Sequence, residues 1–128
     1  MIFYYDTTQN SESMKTQLIK YLPKISEESN NTDILREVLK LIAKINHDSS
    51  VDAIKNFIIK RKPEVMNYVF NGFSLDFSQM ELKHLNELLG HLSIFKTKPN
   101  DYGIGQSKIN VINIIWENAL DAIKFKSS

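Results

Sequence analysis

The sequence predicts an all-α fold: a single compact bundle of five to six helices, with a short extended segment at residues 2–5. Two observations carry that expectation. Apolar residues recur at helical spacing in six segments, and capping residues, prolines and glycines punctuate the gaps between them. No phrase repeats at a fixed interval, so a globular bundle is preferred to a stacked solenoid.

The first segment, 12–22, places Met14, Leu18, Tyr21 and Leu22 on one face, with Ser11 or Ser13 as cap and Pro23 as its stop or kink. Residues 26–31 read as a polar connector. The second segment, 33–46, carries a broad stripe of Ile34, Leu35, Val38, Leu41, Ile42 and Ile45 behind Thr32 as cap. In the third, Ser49 and Asp52 have capping-box spacing. Ile54, Phe57 and Ile58 face inward there, and Lys60, Arg61 and Lys62 close the last turn. Pro63 suits the first position of a fourth helix bearing Met66, Val69 and Phe70, which Asn71-Gly72 stops.

The fifth segment starts between residues 76 and 81 and runs to Leu92, with Leu82, Leu85, Leu88, Leu89 and Leu92 inward. Residues 96–107 hold Pro99, Gly103 and Gly105 and read as a true loop. The last segment, 108–124, is apolar nearly all round and is therefore expected at the centre. Its β-branched start, Ile109 to Ile115, leaves a buried strand as the alternative. The core is expected around Ile42, Phe57, Leu89 and Trp116.

A chain of 128 residues fits one domain, here 1–128. The absence of cysteine removes a disulfide framework, a thiolate zinc site and a cysteine nucleophile, and fits a cytoplasmic protein. The first residues lack the long apolar core of a secretory signal, and no run of about 18 apolar residues would span a bilayer. Sixteen isoleucines, twelve asparagines and only two arginines are what AT-rich coding produces. Net charge is +1, and the local basic excess is confined to Lys55, Lys60, Arg61 and Lys62. A nucleic-acid surface usually needs a wider basic footprint, whereas basic residues commonly close a helix.

Catalytic and cofactor signatures are sparse. His84, Glu87 and His91 form a metal-like set on one helix. However, the two histidines lie two turns, about 10 Å, apart, too far for one zinc with bonds near 2 Å. They read as a solvated face, and no metal or cofactor is expected. His47 sits at a helix end, where positive charge is favourable. Gly103-Ile104-Gly105 lacks the third glycine of a dinucleotide fingerprint, since Lys108 stands where it would be. The start of the last helix, near Ser107 and Lys108, offers the generic phosphate affinity of a helix N-terminus. Glu117 and Asp121, four apart, mark the solvent edge of the last helix.

What remains is binding to another protein. Tyr4, Tyr5, Tyr21, Tyr68 and Tyr102 combine apolar area with a polar tip, a type enriched at interfaces. Tyr102 and Asp101 lie in the long loop, and Glu27, Glu28, Asp33 and Glu37 form an acidic stretch. These six are the candidate partner-binding residues, with Tyr102 alternatively tucked beneath the last helix. In size, composition and the absence of a catalytic site, the chain resembles the small helical immunity proteins of contact-dependent growth inhibition systems. That resemblance implies a stoichiometric inhibitor that covers a cognate toxin domain. The alternatives are a nucleic-acid-binding or transcription accessory factor using residues 55–62, and a phage-encoded inhibitor of host machinery.

Overall fold

A computed structural model describes residues 12–127, and all of its regular elements are helical. They are α1 (Glu12–Glu28), α2 (Thr32–Lys44), α3 (Asp48–Lys60), α4 (Pro63–Val69), α5 (Leu82–Thr97) and α6 (Ile109–Ser127). Two short 3-10 turns, Pro99–Tyr102 and Gln106–Lys108, lead into α6. No strand occurs among the described residues, so Ile109 to Ile115 form the start of α6. The segment at 2–5 and Ser11 lie outside the described residues.

α3 is the organising element. It packs on α1, α2 and α5, while α5 pairs with α6 and α4 bridges α2 to α6. Its Val51, Ile54, Phe57 and Ile58 are completely buried. Phe57, Phe70 and Phe73 continue the core beyond α4, with ring centroids 6.4 and 5.3 Å apart.

Four boundaries differ from the sequence reading. α1 runs through Pro23 and ends at Glu28, so residues 26–28 are helix and not connector. A proline inside a helix costs roughly 3 kcal/mol. Burial of Leu18 and Leu22 before it and Ile25 after it offsets that cost, at roughly 1.5–3 kcal/mol for each large apolar side chain fully removed from water. Ser26, also buried, donates its hydroxyl to the Pro23 carbonyl at 2.7 Å. Asn31, not Thr32, caps α2, accepting from Ile34 N–H at 3.2 Å. His47 caps α3 through Nδ1, which accepts from Ser49 N–H at 3.0 Å and replaces the expected Ser49–Asp52 box. α5 starts at Leu82 and runs through Thr97, so Lys96 and Thr97 belong to the helix.

The non-helical residues 71–81 are not a surface loop. Leu75, Phe77 and Met80 are buried in the core, and the Leu75 N–H is satisfied by Asn118 Oδ1 of α6 at 2.8 Å. This plug displaces part of the expected core. Ile42 and Phe57 are buried as expected, but Leu89 and Trp116 are only half-buried. Along α6 the inward stripe is Ile112, Ile115, Ala119 and Ala122, and Trp116 lies beside it under the Lys96 ammonium, 4.5 Å from the ring centroid. On α5, Leu82 is exposed and His84 is buried, the reverse of the sequence expectation.

Candidate binding surface

The acidic and basic stretches of the sequence meet. α1 and α3 pack together, which brings Glu27 and Asn30 against the end of α3. Lys60 pairs with the Glu27 carboxylate. Arg61, only 7% exposed, donates from Nη1 to the Glu27 carbonyl at 2.7 Å and from Nη2 to Asn30 Oδ1 at 2.8 Å. Glu27 is therefore committed inside the fold. Within the basic stretch, Lys62 is exposed and Lys55 half-buried.

Two other cations are spent in the same way. Arg36 on α2 donates to the Val69 and Tyr68 carbonyls at 2.9 Å each and to Asn71 O at 3.4 Å, closing the end of α4. Lys108 turns inward, donating to Ile58 O at 2.8 Å and Ile59 O at 3.1 Å at the end of α3. Each helix C-terminus carries exposed carbonyls and partial negative charge, so a cation from a neighbouring element satisfies both. Burial pushes the Lys108 ammonium below its ordinary 10.5. Its inward course also removes it from any phosphate at the start of α6.

The six candidate residues occupy separate local settings. Glu28 is exposed on the last turn of α1. Asp33 lies in the first turn of α2, and Glu37 pairs with Lys40 at 3.4 Å; both acids are exposed. Asp101 is exposed in the first 3-10 turn. Tyr102 leans edge-on against Phe95 of α5, with centroids 5.2 Å apart, and keeps 42% of its surface exposed. It anchors the loop on α5 and still presents surface to solvent. The two glycines that follow adopt φ of +65° and +67°, a region disfavoured for L side chains, and let Ile104 between them plug the core. Glu117 and Asp121 are exposed, as the sequence suggested.

Two prominent aromatic residues were given little weight by the sequence. Tyr68 on α4 is 72% exposed, and Phe125 near the end of α6 is 75% exposed. Arg36 fixes the Tyr68 backbone against α2, on whose surface Glu37 is the next residue along the chain. Phe125 stands on the rim of an open groove of about 470 Å³ between residues 74–78 and α6, whose lining includes Asp76, Asp121 and Ala122. Lys126 Nζ donates to Ser78 O at 2.9 Å across one end. The Asp76 carboxyl is held below its ordinary range by the Ser78 hydroxyl and then by the Ser78 N–H. Tyr68 stood among the five interface-type tyrosines without being singled out, and Phe125 lies one residue past the last segment as read, 108–124, so neither drew attention until the fold placed it.

The histidines also change company. His84, 4% exposed, does not belong to a solvated face: Nε2 lies 2.8 Å from Asp48 of α3, and Nδ1 lies 2.7 Å from Asn46 Oδ1. Asn46 in turn exchanges two hydrogen bonds with Glu81, each 2.9 Å long. Glu87 and His91 instead meet Asp52 of α3, with donor atoms of all three within 4.8 Å of one another.

Comparison with protein-family models, with curated proteins and with solved structures finds no match to this chain. Among the described residues, no helix is long and apolar enough to cross a membrane.

Proposed function

We propose that the protein is a non-enzymatic protein-binding module, and that its specific role is that of an immunity protein neutralising a cognate toxin domain by stoichiometric binding in the cytoplasm. The observation that carries the reading is the division of its surface. Arg36, Arg61, Lys60 and Lys108 are tied to internal carbonyls and carboxylates. Tyr68, Tyr102 and Phe125 keep 72%, 42% and 75% of their surface exposed, Tyr102 while its ring also packs on Phe95. A phosphate-binding surface needs free cations; a protein-binding surface draws its affinity from exposed aromatic anchors. Exposed carboxylates at Asp33, Glu37 and Asp101, though in separate settings, suit a partner with basic side chains.

The nucleic-acid alternative is weakened by this arrangement, since Glu27 and Asn30 engage Lys60 and Arg61 and leave only Lys55 and Lys62 of the basic stretch uncommitted. The test is capture of the tagged protein from its native cell, with mass spectrometry of the eluate and mass measurement of the purified complex. A toxin-like partner held one to one, whose activity the complex abolishes, supports the proposal. Recovery of nucleic acid alone, or turnover of a small substrate by the purified chain, refutes it.

A further inference from the structure

We infer that Asp52, Glu87 and His91 form a zinc-binding site that clasps α3 to α5. Glu87 and His91 stand one turn apart on α5, so both point from the same face. Asp52 reaches toward them from α3. The donor atoms of the three lie within 4.8 Å of one another. His91 Nε2 and Glu87 Oε1 are 4.0 Å apart, beyond hydrogen-bond length. Among the described residues the Asp52 carboxylate makes no hydrogen bond or ion pair. Three donors thus converge without satisfying one another.

The dimensions suit a cation. Zinc bonds near 2.0–2.1 Å place tetrahedral ligands about 3.3 Å apart, so side-chain rotations of roughly 1 Å complete the site. One imidazole and two carboxylates are a borderline donor set, which favours zinc over magnesium or calcium. The backbone beneath is rigid, because each ligand adjoins buried residues: Val51 and Ala53 flank Asp52, Leu88 follows Glu87, and Leu92 follows His91. Charge points the same way. The α3–α5 seam carries Asp48, Asp52 and Glu87, and His84 already serves Asp48.

The sequence reading rejected a metal because His84 and His91 are two turns apart. The fold replaces His84 with Asp52 from another helix, and that obstacle disappears. Water fills the remaining coordination position, so the site is open and its affinity modest.

The experiment is titration calorimetry of zinc chloride into the tag-free full chain, paired with thermal melts in zinc and in a chelator. The expected result is one zinc per chain and a melting temperature that rises with zinc concentration, because a ligand bound by the folded state alone stabilises it. His91→Ala and Asp52→Asn each weaken binding at least tenfold, while the remote Glu117→Gln binds as the parent does. All three positions are exposed or half-buried, so the variants fold. No zinc uptake by the parent chain, or uptake that survives both His91→Ala and Asp52→Asn, overturns the inference.

Discussion

Arg61 donates a hydrogen bond to the main-chain carbonyl of Glu27, 34 residues earlier, at 2.7 Å. With it a residue of the basic stretch closes the helix that ends in the acidic one. Arg36 and Lys108 repeat the device at the ends of α4 and α3. Both arginines of the chain are therefore structural. Arg61→Ala should cost about 1.5–3 kcal/mol, the range for hydrogen bonds to a charged group, because it leaves the part-buried Glu27 carbonyl unpaired. Lys60→Ala, which removes a pair whose lysine is half in solvent, should cost less than about 1 kcal/mol. Urea midpoints distinguish the two, and equal losses would show that Arg61 contributes no more than a surface charge.

Additivity separates the three clasps. Arg36 shares no partner with Arg61 or Lys108, so Arg36→Ala combined with either should give the sum of the single effects within roughly 0.5 kcal/mol. Arg61 is the C-cap residue of the α3 end whose Ile58 and Ile59 carbonyls Lys108 holds, so Arg61→Ala and Lys108→Met should deviate from their sum. The same denaturation series measures this, and uniform additivity would mean that the α3 terminus is held by each cation independently.

His84 ties the α2–α3 connection and α3 to α5 through Asn46 and Asp48. His84→Ala should destabilise by about 2 kcal/mol, since it empties a buried polar position and strips Asn46 Oδ1 of a partner. A His84/Asp48 double-mutant cycle should return a coupling above about 0.5 kcal/mol. A coupling near zero would assign the effect of His84 to packing alone.

Asp76 introduces an acid sensitivity whose sign is fixed. Ser78 holds its carboxyl below the ordinary 3.8. The stabilisation is present above 3.8 and is lost as pH falls through the lower, folded-state value. Asp76→Asn should therefore cost more stability at about pH 7 than at about pH 3, read as the difference between denaturation midpoints. An equal cost at both pH values would contradict it.

The fold class was legible because helical period survives burial: the α3 stripe of Ile54, Phe57 and Ile58 is buried as read, and the α2 stripe is buried at Leu35, Val38, Ile42 and Ile45, although Leu41 is half-buried and Ile34 lies exposed at the helix start. Punctuation was less dependable. Pro23 is a helix breaker by local rule, yet α1 continues through it, with Leu22 and Ser26 on either side buried. The plug at 71–81 carries no periodic signal, so its Leu75, Phe77 and Met80 could not displace Leu89 or Trp116 from the expected core. The candidate surface was less legible still. The sequence shows Glu27 and Arg61 as charges, but whether a charge faces solvent depends on a contact 34 residues away. Asp52 joins His91 for the same reason, through the packing of α3 on α5.

Photo-crosslinking in the native cell tests the proposed binding surface most directly. Benzoylphenylalanine placed singly at Tyr68, Tyr102 and Phe125 should trap one and the same protein at two or more of these sites, in a one-to-one adduct. The probe placed at Lys55, beside the α3 end that the clasps occupy, should not. Crosslinks that appear only at Lys55, or adducts that contain nucleic acid in place of protein, would contradict the account.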